Sequence, residues 1–496
     1  MSEGTNAERI TANNNIISAN NSDIDAIKLR ISNLPDTSVA TATAGDIASG
    51  KTAFVNGQMV TGSYTPPTVS LQSKDVTITE NGTTTIEPDS GYDGLSDVDV
   101  TVNVSGPAKV PERDVNFYDY DGTVVASYTA SDFANLSALP NNPTHTGLTS
   151  QGWNWTLADA KTYVASYGKL NIGQMYVTDD GATRIYIKLE EGRLEPYLGF
   201  AINGTATVDW GDNTTSTVTG SDTTTIIYTQ HTYASAGEYV ISISSESIIY
   251  FRGTNANGSS LLVKTSGNSD DSIAYQTTIH KIEFSSNVKF ENYAFKNCYS
   301  LSNVTIPFTD CGIGINAFQY CYSLLNIILP NKRMSISTGA FQHCYSLSNV
   351  ILPDTISNFN NGVFQYCYSL SFIAIPRNNS TLPSNLLDSC YSLSDIALPV
   401  VSVFNDSSIL ANCRSLSKIK LRGTRQIGVA TFLNCKSLKY CDLSSATSIP
   451  TLGLNAFNGI PSDCKIVVPD SLYEDWIVAN NWSTYASYII KASDWT

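Results

Sequence analysis

The sequence predicts a multidomain, mainly β protein that ends in a repeat solenoid. Three observations carry this reading. The chain has 496 residues, enough for several domains rather than one. Seven cysteines (Cys298, Cys321, Cys344, Cys367, Cys390, Cys413 and Cys435) each stand three residues before a leucine, at intervals of 23 closing with one of 22. A fixed period in this range marks a solenoid. Upstream, short alternating segments flanked by Asn-Gly or Asp-Gly pairs read as strands and hairpins.

Composition bounds the partners. Hydrophobic residues make up 42% and charged residues 15%, with a net charge of −15. Phosphate contacts need clustered Lys and Arg, and no such cluster is present, so no nucleic acid is expected. No stretch reaches the ~20 apolar residues of a membrane span, so no membrane insertion is expected. The start "MSEGTNAERI" has no basic segment followed by an apolar run, and the end "IIKASDWT" has no anchor pattern. The expectation is a protein made without the usual export route.

Each period carries a second pattern, as in Leu301-Ser-Asn-Val304-Thr-Ile306-Pro307 and Leu347-Ser-Asn-Val350-Ile-Leu352-Pro353. An earlier copy without the cysteine holds Ile279, Ile282 and Phe284. The LxxLxL segment is a leucine-rich-repeat strand whose three aliphatics point into the coil, with stacked coils pairing ~4.8 Å apart. "AF" or a variant precedes most of the cysteines, as in Ala294-Phe295 and Ala340-Phe341. It reads as a short helical turn on the opposite side. Cysteine suits an interior slot, being small, apolar and able to donate weakly to a carbonyl. An odd file at this spacing matches neither disulfide pairing nor a metal motif, so no metal and no cofactor is expected. The form "NAFQYCYSLLNIILP" resembles the BspA-type leucine-rich repeat over roughly Thr278 to Val468, a family of extracellular and microbial surface proteins used in adhesion. After it, Ser471 and Glu474 form a capping-box pattern ahead of Leu472, Trp476 and Ile477. Residues 466–496 are thus expected to be a helical cap on the solenoid of 251–465.

At the start, Ile10, Ile17, Ile24 and Ile31 are seven apart, with Asn13, Asn20 and Ile27 at the second core position and Pro35 closing the run. Residues 1–35 are read as a coiled-coil trimerisation and attachment segment, so a homotrimer is expected. A lone amphipathic helix, or no helix, is the alternative, because Asn-rich segments are poor helix formers. Residues 36–66 contain "DIASGKTAFVNGQMVTG", which resembles a short module of tail proteins from phages of Gram-positive bacteria. Its Asn56-Gly57 pair is a hairpin turn. Residues 67–106 are read as a β-hairpin stalk module, with Asn81-Gly82 as turn and Val98, Val100, Val102 and Val104 alternating; similar segments occur in phage tail proteins.

Residues 107–192 begin with a hairpin around Asp121-Gly122. "NNPTHTGLTSQGWNW" resembles part of the Listeria–Bacteroides β-grasp repeat. "TLADAKTYVASYG" is a helix from Thr156 to Gly168, and "TRIYIKL" a strand. Residues 193–250 carry Asp209-Trp210-Gly211-Asp212, His231-Thr232-Tyr233 and Gly237-Glu238-Tyr239. These resemble a PKD domain, an immunoglobulin-like sandwich, with Trp210 in its core. Asp209 and Asp212 either satisfy turn amides or hold calcium; the first is the commoner role.

No catalytic residues are assigned. His145, His231, His280 and His343 lie in no HExxH or GxSxG context. No carboxylate spacing points to a glycosidase pair. Binding is the better reading. Between Leu and the aliphatics, residues such as Asn303, Asn326, Asn349 and Phe372 face away from the coil. Tyr299, Tyr322, Tyr345, Tyr368 and Tyr391 should form a file, one per coil. They either contact a host cell-surface glycan or protein or merely stack and shield the cysteines. Together these features describe a non-enzymatic phage tail fibre, assembled in the host cytoplasm and joined to other virion tail or baseplate proteins. A bacterial BspA-like adhesin and a virion-associated glycan depolymerase are the alternatives. A reducing cytoplasm fits unpaired cysteines.

Overall fold

The computed structural model describes residues 114–253, 261–263, 278–307, 312–377, 379, 381–400, 403–404 and 407–495, with the backbone of four strands nearer the N-terminus. The chain divides into two compact units, Met1–Val110 and Pro111–Thr496. The coiled-coil positions Ile10, Asn13, Ile17, Asn20, Ile24, Ile27 and Ile31 lie outside the described residues.

In the first unit, β1 (Thr52–Val55) and β2 (Gln58–Thr61) pair antiparallel with Val55 opposite Gln58. Only Asn56-Gly57 separates the arms, as the hairpin reading requires. The stalk reading needs correction. β3 (Leu71–Ile78) and β4 (Gly94–Val102) pair in parallel, from Leu71↔Gly94 to Ile78↔Val102. Two arms of one hairpin run antiparallel; parallel neighbours need a longer crossover. A tight turn at Asn81-Gly82 therefore does not join these strands.

The second unit opens with a four-stranded sheet in the order β6-β5-β8-β7. These strands are β5 (Val115–Tyr118), β6 (Val124–Tyr128), β7 (Leu148–Trp153) and β8 (Leu170–Thr178). β5 and β8 are parallel; the other pairs are antiparallel. Helices α1 (Ala130–Ala134) and α2 (Leu157–Tyr167) bury Phe133, Ala160, Tyr163 and Val164 against Val115, Phe117, Leu170 and Ile172. α2 starts where Thr156 Oγ1 accepts the Asp159 N–H at 3.1 Å. It stops at Gly168, whose φ of 86° suits a residue without Cβ. Both ends are those the sequence signals.

β9 (Thr183–Leu189) is the strand that "TRIYIKL" predicts within residues 107–192. It belongs to the next sheet rather than to this first one. β10 (Tyr197–Asp209) and β11 (Thr215–Gln230) form a long hairpin. β12 (Gly237–Ser244) pairs β9, and β9 pairs Ile279–Glu283, which is parallel to Asn303–Thr305. β13 (Ile249–Phe251) and β14 (Leu262–Val263) flank β10, and β13 is parallel to Val288–Phe290. The segment 193–250, read as a separate sandwich, thus shares one nine-stranded sheet with the first coils. Alternation in "TRIYIKL" predicts a strand but cannot name its partner. The antiparallel strands do the work of an N-terminal cap, since the first coil otherwise ends on open strand edges.

Each later coil has two short strands with the core between them. One face stacks Asn326–Ile328, Asn349–Ile351, Phe372–Ala374 and Asp395–Ala397, then Lys418–Lys420, Tyr440–Asp442 and Lys465–Val468. The other stacks Met334–Ile336 on Ile356–Phe359, and Thr381–Leu382 through Thr451–Leu452. Between them, Phe295, Phe318, Phe341 and Phe364 stack at 4.9–5.7 Å. The cysteines lie beside them, fully buried. From Cys321 to Cys435 each Sγ–H points to a carbonyl of the preceding coil, as in Cys344 to Phe318 O at 3.2 Å and Cys367 to Phe341 O at 3.3 Å.

The "AF" segments are not helical turns. Alternate N–H groups leave the coil: Phe295 donates to Ala317 O and Asn297 to Gln319 O, while Lys296 and Cys298 bond back within the coil to Tyr293 O and Phe295 O. This zigzag needs a left-handed residue twice per coil. Among the described residues the pairs are Tyr293/Asn297, Asn316/Tyr320, Gly339/His343, Gly362/Tyr366, Asn385/Ser389, Ser408/Asn412, Ala430/Asn434 and Asn455/Gly459, all with φ between 52° and 78°. Asn and Gly accept that backbone most readily.

Proline explains how the first sheet docks on the solenoid. In a parallel ladder the carbonyl ending one strand accepts from the N–H of the next coil. Where that residue is Pro307, Pro353, Pro376 or Pro399, no N–H exists. The carbonyls of Phe284, Leu329, Leu352 and Ile375 would be left unpaired. The first sheet and α2 supply the donors: Thr178 N–H at 3.1 Å, Asn154 Nδ2 at 3.1 Å, Trp155 Nε1 at 2.9 Å and Tyr163 OH at 2.9 Å, respectively. Gly173 lets the sheets approach, since a Cβ there would stand 2.5 Å from Ile328 Cγ2. Lys169–Asp395 at 2.8 Å and Arg422 Nη1 to Ser166 O at 3.0 Å tie the rim.

The C-terminal end closes differently from the capping-box reading. Pro469 precedes a 3-10 turn, Asp470–Leu472, and neither it nor α3 (Tyr473–Trp476) has a side-chain cap bond. Asp470 instead accepts the Ser493 N–H at 3.0 Å. Trp476, Trp482 and Tyr485 cover Phe457, and Ile489–Lys491 adds a last parallel strand to Lys465–Val468.

Candidate receptor-contact surface

The tyrosine after each cysteine points out of the coil because its neighbours point in. Successive coils place these rings in register. Tyr299, Tyr322, Tyr345, Tyr368 and Tyr391 stack with centroids 4.6–4.8 Å apart and planes within 7°. The Arg414 guanidinium lies over the last ring at 4.5 Å, a cation–π contact. The ring faces inside the file are therefore covered by each other. Ring edges and hydroxyls are what remain for a partner. Partial burial, with neighbouring tyrosines second, pushes the Tyr322 and Tyr345 hydroxyls up to about 12, so they stay protonated donors at neutral pH.

A second file, not foreseen from the sequence, runs beside the first. Tyr320, His343 and Tyr366 stack at 4.6 and 4.4 Å. Each meets the neighbouring tyrosine edge-on, and His343 Nδ1 lies 3.2 Å from Tyr345 Oη. These three rings occupy the left-handed position that other coils give to Asn297, Asn412 or Asn434. A bulky residue there is unfavourable by about 1–3 kcal/mol; stacking offsets part of this. Burial lowers His343 to about 4, so the ring is neutral at pH 7. The signal available in the sequence was the aromatic before Cys321, Cys344 and Cys367, where three other repeats have Asn and one has Ser.

Beneath the files, side-chain amides link the coils. Gln319 Nε2 donates to Gln342, Gln342 to Gln365, and Gln365 to Asp388 Oδ2 at 2.9 Å; Asn434 donates to Asn412, and Asn412 to Asp388 Oδ1 at 3.0 Å. A carboxylate only accepts, so Asp388 orients the chain from both sides.

The strand positions lie elsewhere. Asn326, Asn349 and Phe372 do face away from the coil, but the first sheet covers this face. Asn326 is 4% exposed and donates to Asp121 O at 2.9 Å. Asn349 donates to Asn326 at 2.8 Å. Phe372 packs against the first domain's core, and Ile328 and Ile351 enclose Met175. Asn303 donates to Ser302 Oγ at 3.2 Å, with its own oxygen buried. The expectation of an open strand face is thus corrected: the chain's own domain occupies it.

Other motif residues serve local structure. Asp209 accepts the Gly211 N–H, and Asp212 accepts from Thr214 and pairs with His231 at 2.7 Å. Trp210 is fully buried under the stacked His231 ring. His145 pairs with Asp119 at 2.7 Å. Among the described residues no group of three His, Cys, Asp or Glu side chains is placed to hold a metal ion. Also among them, no helix is long and apolar enough to cross a membrane.

A family profile described as "BspA type Leucine rich repeat region" matches residues 268–394 and 403–475 in six copies. No curated protein matches the chain. Among solved structures, the chain is similar to a leucine-rich repeat protein of T. pallidum at 24% identity, covering 38% of this chain and 82% of that one with a TM-score of 0.31. A leucine-rich repeat protein from Bacteroides ovatus matches at 18% identity, covering 53% and 70%, TM-score 0.31. A leucine-rich cell surface protein from Faecalibacterium prausnitzii matches at 20%, covering 43% and 82%, TM-score 0.22. Residues 268–394 and 403–475 are therefore BspA-type leucine-rich repeats, stacked as a solenoid.

Proposed function

We propose that the chain is a phage tail fibre or receptor-binding protein that attaches to a bacterial surface through its solenoid, without enzymatic activity of its own. The observation that carries the binding role is the double ring file from Tyr299 to Tyr391, held in register by the coil period and presenting a row of hydroxyls. Rigid aromatics with polar tips lose little entropy on contact. The phage assignment rests on the resemblance of residues 36–106 to tail modules, with residues 1–35 as the trimerising, virion-proximal end. The repeat family itself favours a second reading, a bacterial BspA-like adhesin. Immunogold labelling with antibody to the solenoid separates the two. Labelled phage tail tips, and adsorption blocked by the antibody, are expected. Label on bacterial envelopes with none on virions would replace the first reading by the second.

A further inference from the structure

The docking of the first sheet on the strand face leaves a gap among the described residues. A cleft of about 190 Å³ opens between β5, the start of β8 and three coil strands. Its walls include Asn116, Asn171, Asn349, Phe372 and the Lys169–Asp395 pair. From this composition we infer a binding site for a single neutral sugar ring, distinct from the tyrosine files.

The amides are oriented before any ligand arrives. Asp121 O is a backbone carbonyl and only accepts, so Asn326 must turn its Nδ2 toward it. Asn326 Oδ1 then takes the Nδ2 of Asn349 at 2.8 Å. This leaves Asn349 Oδ1, an acceptor, as the end of the chain at the cleft. On the opposite wall, Ser127 Oγ donates to Asn116 Oδ1 at 2.8 Å, and Asn116 Nδ2 lies 3.5 Å from Asn171 Oδ1. Asn171 keeps its Nδ2 as a donor. One wall thus offers an acceptor and the other a donor. A sugar hydroxyl does both, and vicinal hydroxyls match paired amides. Phe372 supplies the apolar surface that the C–H face of a pyranose needs.

Charge and size narrow the class. The lining carries two carboxylates, Asp114 and Asp395, against one cation, Lys169, which pairs with Asp395, so an anionic ligand meets net repulsion. The volume is below the ~300–1,000 Å³ of sites for drug-sized ligands. It admits one ring at the end of a glycan rather than an internal stretch.

The test uses the intact chain and saturation-transfer NMR with glucose, galactose, N-acetylglucosamine and N-acetylgalactosamine. N-acetylneuraminic acid and inorganic phosphate are the anionic probes. At least one neutral sugar should bind with a dissociation constant of about 1 mM. Asn171→Asp, an isostere that loses the donor, and Phe372→Leu, which stays apolar but loses the flat ring, should each weaken binding about tenfold. Converting Tyr322, Tyr345 and Tyr368 to Phe should leave it unchanged, which separates this site from the proposed attachment surface. The inference is overturned if no neutral sugar binds, if an anionic probe binds as well, or if both cleft variants bind like the wild type.

Discussion

A cysteine inside a solenoid coil is held by burial and by one weak hydrogen bond to the coil before it. Burial pushes these thiols well above their ordinary range, which removes the reactive thiolate. The nine described cysteines should resist iodoacetamide in the native protein, and mass mapping should find them labelled only after denaturant is added. His343 gives a pH signature. Desolvation lowers it from 6.5 to about 4. Between those values the unfolded chain binds a proton that the folded chain refuses. Stability present above pH 6.5 should therefore fall as the pH drops toward 4. His343→Tyr, which restores the ring of the neighbouring coils, should flatten that fall in urea melts at the two ends of the window. At this scale the sequence was informative about packing and silent about strain. The cysteine period announced an interior file, whereas rings at left-handed positions became visible only once each coil's zigzag was known.

Among elements, the amide chain and the proline carbonyls set how coils and sheets join. Asp388 receives Gln365, Ser389 and Asn412. Asp388→Ala leaves one buried and two partly buried donors without this acceptor and should lower unfolding free energy by about 2 kcal/mol in chemical denaturation. The repeat strands, the α2 ends and the Asn56-Gly57 turn were legible because their signals are local: period, cap residues and a two-residue turn. The partner of β9 and the parallel pairing of β3 with β4 were not, because pairing depends on residues far away in sequence. One long-range signal does stand in the sequence. The outward strand positions are Ile328, Ile351, Ala374 and Ala397 in the covered coils, but Lys418 and Lys420 beyond the first sheet. Apolar residues on a face expected to meet water report that something covers it. Pro330, Pro353, Pro376 and Pro399 end those same covered strands, and Arg422 follows the first uncovered one.

On the scale of the second unit, the antiparallel strands of one mixed sheet cap the solenoid, a second domain clasps its strand face, and the ring files run along the coils. Gly173→Val should force the clasp open. Hydrogen exchange should then rise across Asn326–Ile328 and Asn349–Ile351 while the coil core stays protected. The solenoid and its tyrosine file could be placed from sequence, because a period multiplies a weak local signal into a strong one. The site composition could not, because it depends on which face the chain itself occupies. The central claim is that the hydroxyl row of the half-buried tyrosine file makes the contact. The most direct measurement is adsorption of the purified chain to Gram-positive cells that bind the wild type, using Tyr322, Tyr345 and Tyr368 all changed to Phe. The rings and the fold remain, and only the hydroxyls go. With each hydrogen bond contributing about 0.5–1.5 kcal/mol, affinity should fall about tenfold or more. A folded triple variant that adsorbs like the wild type would contradict the account.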